Sequence, residues 1–244
     1  MRLRGGSWAI EILPARGGRI RSLKHDGVEL LDQGIGIDEP DASGFVEAGA
    51  FGWDELVPTV DATESLPDHG EAWRMPWTVE ASSESACSMS CSGRVAPWGL
   101  RRDLRLDGAV RVEYTLTNLG PSGAMPGYWC AHPLFRYEDG MEIEIAGARL
   151  MSFAQGKSGK FFLPRGETDR ARVRWASGVG VEVRWDVSVA QYCGVWMCNG
   201  DLGGYKQVAI EPATGGGDRP DSAEPPPQLG PGESLRWWLE VRSL

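Results

Sequence analysis

Apolar and polar residues alternate with a period of two along most of this chain, and Gly, Asp-Gly or Ser clusters cut the alternation into short pieces. On that basis the stretches 7–13 (SWAIEIL), 17–31 (GGRIRSLKHDGVELL) and 77–93 (WTVEASSESACSMSCSG) read as strands and hairpins. Leu100, Leu104 and Leu106 lead into Asp107-Gly108, and Val110, Val112, Tyr114 and Leu116 then resume the period, which predicts a hairpin. Further alternating segments follow at 141–148, 170–178, 179–187, 191–200, 207–215 and 234–244. No stretch keeps a helical period beyond two turns. Many short strands at this spacing predict an all-β sandwich or barrel of large sheets. No low-complexity linker divides residues 1–244, so one domain is expected. The Gly-, Pro- and Asp-rich segments 34–43 and 214–227 read as long loops over a site.

Composition narrows the partners. A formal charge of −9 and a pI near 5.0 argue against a nucleic acid, whose recognition leans on excess Lys and Arg. Arginines cluster at 101, 102 and 105 and at 165, 170, 172 and 174, but each cluster is interleaved with acids or apolar residues, as on a solvated strand face. No apolar run is long enough to cross a bilayer, and the start acquires Glu11 and Pro14 before a signal-peptide core develops, so a soluble, cytoplasmic protein without a membrane partner is expected. Five cysteines, an odd number, do not suggest a disulfide framework. Cys87, Met89 and Cys91 occupy alternate positions and so share one strand face, while Cys193 and Cys198 lack zinc-site spacing; no metal is expected. The chain carries no GxGxxG or Walker loop and no signal for oligomeric state.

The chemistry gathers around MPGYWCAHPLF (125–135), an apolar, aromatic run that predicts a buried strand and delivers His132 just before Pro133, where pairing is expected to stop. Histidine titrates near neutrality, so a ring at the rim of a rigid sheet is a natural proton donor or acceptor. Two other histidines exist: His69 in the turn-rich Pro67-Asp68-His69-Gly70, and His25 at a hairpin tip. Glu211 repeats the design of His132, ending the run 207–210 and preceding Pro212. If both strands end at one edge, an imidazole and a carboxylate face a common cavity. Eleven tryptophans are present, and Trp53, Trp73, Trp77, Trp98, Trp129 and Trp196 lie close to turn-rich segments. Such residues either fill the gap between large sheets or offer flat faces to a sugar ring, and both readings stand.

Five motifs, FGWDELVPTVD (51–61), PDHGEAWRMPW (67–77), AHPLF (131–135), AIEPATG (209–215) and LGPGESLRWW (229–238), occur in an order and at a spacing that resemble aldose 1-epimerases and the wider galactose mutarotase-like group. The resemblance spans nearly the whole chain. It implies a β-supersandwich of long antiparallel sheets with a carbohydrate site on its concave face, and a cofactor-independent aldose 1-epimerase acting on a free hexose or related sugar. In such enzymes a glutamate takes the proton of the anomeric hydroxyl and a histidine protonates the ring oxygen. The ring opens, the C1–C2 bond rotates, and closure on the other face gives the other anomer. Carried over by motif, Glu211 is the base, His132 the acid and His69 a second histidine near the ring oxygen. Asp54 is assigned to the sugar hydroxyls, with loop capping as the alternative, and Trp53 and Trp73 to the walls of the sugar site. The sequence departs from the sugar-phosphate relatives in having Trp73 where they often carry arginine, with Arg74 one place on. A hexose-6-phosphate mutarotase, a non-catalytic carbohydrate-binding protein, and a lyase or hydrolase on a related sandwich are the competing expectations.

Overall fold

The protein is described by a computed structural model, in which residues 1–39, 41–150 and 154–244 are defined. Among these residues the period-two segments pair into two nine-stranded antiparallel sheets. The first runs, in spatial order, Arg2–Gly5, Trp8–Leu13, Arg19–His25, Trp53–Leu56, Cys130–Arg136, Lys206–Ala213, Tyr192–Asn199 and Ser158–Phe162, with Val28–Glu29 pairing beside Arg19–His25. The second carries the predicted hairpin, Trp98–Leu106 with Val110–Asn118, at its centre, between Ser234–Ser243 and Ala86–Ser92. Among the described residues helix is confined to Phe45–Gly49 and a 3-10 turn at Ala72–Arg74.

Alternation decides which side chains fill the space between the sheets. Ala131 and Phe135, Val208 and Ile210, and Val195 and Met197 point from the first sheet into a core completed by Leu104, Val112, Leu239 and their neighbours on the second. Trp53, Trp77, Trp98, Trp129 and Trp237 are in that core, so most of the indoles fill the gap between sheets. Cys87 and Met89 face it as their spacing predicted. The outward face of the second sheet is solvated, with Arg101 bridging to Asp103 at 2.8 Å and Arg172 to Glu182 at 2.9 Å. Arg102 differs from the rest of its cluster: it is fully buried, because alternation puts it on the same face as Leu100 and Leu104.

The central strands of the first sheet are covered on their other face too. Phe45 and Ala48 of the short helix, with Trp73, Tyr128 and Tyr205, build a second apolar cluster over Cys130, Leu134, Ala209 and Ala213. A strand buried on both faces reads as continuous apolar sequence rather than alternation, which accounts for 128–135 and 208–213.

Both prolines lie inside their strands, not at the ends. Cys130–Arg136 runs through Pro133 and Lys206–Ala213 through Pro212. The ladder between these two strands pairs Cys130 with Ala213, then Leu134 with Ala209, Phe135 with Val208 and Arg136 with Gln207, and leaves the positions between unpaired. Residues without an N–H are tolerated where no ladder bond is required of them. The strand also begins later than 125: Met125-Pro126 forms a separate two-residue ladder with Gln228-Leu229.

One polar network crosses the inter-sheet core. Glu55 accepts from Tyr114 Oη at 2.8 Å, Trp129 Nε1 at 2.8 Å and Arg102 Nη1 at 3.2 Å. Burial pushes its carboxyl up to about 7 from 4.5, against the pull of Arg102 and the two neutral donors. The fold therefore binds a proton that the unfolded chain releases, and this group favours the folded state as pH falls through 7. Replacing Arg102 by Met removes the cation from a buried carboxylate, and is expected to lower stability by about 3–5 kcal/mol. The loss should be smaller at pH 6 than at pH 8, as measured by urea unfolding at both; equal losses would contradict the role given to Glu55.

Candidate functional site

Register brings the two predicted groups together. The pairs between the strands Cys130–Arg136 and Lys206–Ala213 follow one diagonal, and continuing it through the unpaired stretch sets His132 opposite Glu211. On its other side His132 pairs with Asp54, while Glu211 pairs with Gly194. Four strands thus contribute one row across the outward face: Asp54, His132, Glu211, Gly194. Directly opposed side chains share a face and lie within about 5 Å at Cβ. His132 Nε2 is 3.6 Å from Glu211 Oε1, too far for a hydrogen bond, so the two groups adjoin without satisfying one another. Glu211 Oε1 and His132 Nδ1 are buried and have no hydrogen-bond partner. Buried polar atoms are nearly always paired, so two such atoms in one cavity point to a ligand.

His69 reaches the same place from a loop. Its backbone is left-handed, with φ of 57°, a conformation costing about 1–3 kcal/mol outside glycine unless the surroundings enforce it. Here the His69 N–H donates to Val60 O at 2.6 Å and Gly70 N–H to Pro67 O at 3.0 Å. The ring stacks on Phe45 at 4.1 Å, its Nδ1 meets Asp68 Oδ1 at 2.9 Å, and its centroid lies 5.7 Å from that of His132. Asp68 also accepts from the Phe45 N–H at 3.1 Å, which ties the helix to the loop. The His69 contact, opposed by partial burial, holds the Asp68 carboxyl below the usual range.

A lysine completes the constellation. Lys160, on the edge strand Ser158–Phe162, lies with Nζ 2.5 Å from Glu211 Oε2 and 2.5 Å from Asp218 Oδ1. Room for it comes from Gly194, where a Cβ would stand 3.1 Å from both Glu211 Oε2 and Lys160 Cε. Asp218 belongs to the 214–227 loop, and its carbonyl accepts from Val60 N and Asp61 N at 2.9 Å and Thr59 Oγ1 at 3.1 Å. These groups surround a cavity of about 260 Å³, walled on its apolar side by Phe45 and Trp196.

Burial, followed by the charges of His69, Lys160 and Arg19, holds the His132 imidazolium well below the usual histidine range. Burial depresses the Lys160 ammonium, but Glu211, Cys130 and Asp218 outweigh it and raise the group overall, so it stays charged. A carboxylate, two imidazoles and an ammonium around a small, partly apolar cavity are suited to moving protons between two oxygen atoms of one small polyhydroxy ligand.

The other expected site residues do not line this cavity. Asp54 is in the row, but Arg19 takes its carboxylate with Nε at 2.9 Å and Nη2 at 2.8 Å, both side chains fully buried. Trp53 faces the inter-sheet core. Trp73 packs in the second cluster and donates its Nε1 to Asp68 O at 3.3 Å. Arg74 lies over Trp73 and donates to Ala42 O at 2.5 Å, away from the cavity. Of the tryptophans, Trp196 borders the cavity. Sequence reasoning passed over Lys160, Asp218 and Gln207. Gln207 carried a signal, since period two sets it on the face of Glu211; it lines the cavity and donates to Asp32 Oδ2 at 3.0 Å and Ala50 O at 3.1 Å. Lys160 carried none, for SGKFF shows no alternation.

No protein-family model matches the chain, and no curated protein sequence does. Solved structures do. The Slr1438 protein from Synechocystis is 18% identical with a TM-score of 0.82, the match covering 100% of this chain and 94% of that one. A galactose mutarotase-like protein from Lactobacillus casei is 18% identical with a TM-score of 0.79, covering 100% and 99%. An aldose epimerase homologue from C. elegans is 12% identical with a TM-score of 0.70, covering 100% and 98%. At such identities the likeness is one of fold, and the fold is the galactose mutarotase-like β-sandwich that the five motifs implied.

The electrostatics of His132 give a direct test. The unfolded chain takes a proton at this residue near pH 6.5 and the fold does not, so its contribution to stability falls as pH drops below 6.5. The His132 Cε1–H resonance is expected to stay flat between pH 8 and 6, and His132→Gln should lose less stability than the native chain between pH 7 and 5. A titration step at 6.5 would show the ring to be solvated.

Proposed function

We propose that the protein is an aldose 1-epimerase that interconverts the α and β anomers of an unphosphorylated monosaccharide without a cofactor. The observation that carries this reading is the register that sets His132 opposite Glu211, each with an unpartnered buried atom and both lining one cavity. At about 260 Å³ the cavity is smaller than the roughly 300–1,000 Å³ of pockets for drug-sized ligands, which favours a single sugar ring over an oligosaccharide.

In this reading Glu211 Oε1 accepts the proton of the anomeric hydroxyl as the C1–O5 bond breaks. O5 receives a proton from the ring N–H of His132, which adjoins Glu211. After rotation about C1–C2 the same groups exchange roles: the imidazole takes the proton from O5, and Glu211 returns one to O1. Paired acid and base groups each contribute roughly 10²–10⁴-fold, enough to matter for a hemiacetal that water opens slowly. Trp196 and Phe45 offer flat apolar faces to the ring's C–H surface. Among the described residues Lys160 is the one Lys or Arg side chain lining the cavity, and it already lies between two carboxylates, which disfavours a phosphorylated sugar.

A binding protein without turnover has one observation in its favour, the ammonium lying against the proposed base. It predicts sugar binding and no anomer exchange. The two readings separate in one experiment, NMR of freshly dissolved α-anomers of several aldoses. The protein should speed equilibration of at least one, and Glu211→Gln should lower kcat by about 10²–10⁴-fold while the chain still folds, as judged by circular dichroism. Trp196→Ala should raise the sugar's KM more than it lowers kcat. An equilibration rate that the protein leaves unchanged across the panel, with saturable sugar binding, would instead establish the binding role.

A further inference from the structure

The reaction as written above uses Glu211 and the imidazoles and leaves Lys160 without a task, although this ammonium is the most tightly held charge in the cavity. Its position is built rather than incidental. Gly194 removes the side chain that would block it, Glu211 and Asp218 each hold it at 2.5 Å, and Asp218 is itself fixed by the backbone bonds from Val60 and Asp61. A structural cation would use its donors on the protein. An ammonium has three: Asp218 Oδ1 takes one, and Glu211 Oε2 adjoins it as an ion pair that engages at most one more. Phe162, 5.1 Å from Nζ to its ring centroid, is the neighbouring aromatic, and it accepts no conventional hydrogen bond. One donor of a permanently charged group therefore remains at the cavity wall, beside the carboxylate that exchanges a proton with O1.

We propose that Lys160 donates this hydrogen bond to the anomeric oxygen of the sugar and polarises the open-chain carbonyl toward ring closure. The proposal rests on the epimerase reading and adds a third catalytic residue to it. In closure the O5–H proton passes to the imidazole and an O5 electron pair forms the O5–C1 bond. The C1=O1 π pair moves onto O1, and Glu211 delivers its proton there. Lys160 keeps its own protons throughout, and its charge offsets the negative charge that grows on O1. Opening is the reverse, with the same bond favouring the carbonyl as it forms. The ammonium so serves two groups at once: it pairs with Glu211 Oε2 and acts on O1.

The test uses the full-length protein and Lys160→Met, which keeps the length of the side chain and removes the charge. Anomer exchange by NMR should fall about 10²-fold in kcat, the size of effect seen for a single preorganised donor at a developing oxyanion, with little change in sugar affinity. Lys160→Arg should retain more activity than Lys160→Met. A structural role could also lower kcat, so a spectroscopic readout accompanies it. Glyceraldehyde labelled at C1, too short to close a ring, should show its bound C=O stretch moved to lower frequency by the native protein and not by Lys160→Met. Native exchange with an undiminished kcat in Lys160→Met overturns the proposal alone, and so does a kcat loss with the carbonyl band at one frequency in both proteins. Absence of exchange in the native protein overturns the epimerase reading and this proposal with it.

Discussion

The site depends on the pairing of two strands that are remote in sequence, Cys130–Arg136 and Lys206–Ala213. A slip of one residue in either would turn His132 or Glu211 into the apolar layer between the sheets and bring Ala131 or Ile210 to the outer face. The penalty for burying a carboxylate there is far larger than any single ladder bond, so hydrophobic alternation fixes the register. The neighbouring ladders carry the load that the open stretch gives up. Lys206–Ala213 pairs along its whole length with Tyr192–Asn199, and residues 130–133 pair with Trp53–Leu56. Prolines 133 and 212 can then occupy the gap at no cost in hydrogen bonds, and the row of candidate site residues rests on a backbone held from its outer sides.

Covering both faces of this sheet sets the electrostatics. Charges buried under the second apolar cluster or between the sheets lie in a medium where each must be matched, and most are: Arg19 with Asp54 on the outer face, and Glu55 with Arg102, Tyr114 and Trp129 between the sheets. Glu55 shows why a shifted carboxyl alone does not identify an active site. Its proton affinity is raised strongly, yet both of its oxygens have donors and it points between the sheets. Glu211 and His132 are as deeply buried but leave atoms unmatched and face a cavity. Satisfaction of hydrogen-bonding groups, more than the size of a pKa shift, separates the structural network from the candidate site.

The all-β class, the central hairpin and the candidacy of His69, His132 and Glu211 were legible because each rests on a local signal: period two, an Asp-Gly turn, or a titratable residue near a proline. The meaning of that proline was misread. Pairing context decides whether an X-Pro step ends a strand or lies in an open part of a ladder, and that context comes from strands 70 to 80 residues away. The same limit explains the arginines and tryptophans. Arg102 differs from Arg101 only in phase, and phase was readable; Trp53 and Trp196 look alike in sequence, and only the order of strands in the sheet sends one to the core and the other to the cavity. Asp54 lay in the right row but was already committed to Arg19, a partner 35 residues earlier that no local pattern announces.

Lys160 is the instructive omission. Functional side chains on central strands betray themselves as polar interruptions of apolar runs, because burial makes every polar residue there conspicuous. An edge strand has water on one side and tolerates lysine anywhere, so a cation that leans inward from the edge carries the same sequence signature as one that keeps a strand soluble. What distinguishes it is the residue it leans over. The row Asp54, His132, Glu211 ends at Gly194 on the strand between, and a glycine in the interior of a paired strand weakens it without return unless something occupies the space above. Here the Lys160 stem fills that space and its ammonium reaches the far carboxylate. Glycine and lysine are therefore two halves of one feature: the first is destabilising alone, the second would be solvent-exposed alone, and together they place a fixed positive charge against the proposed base at the wall of the cavity.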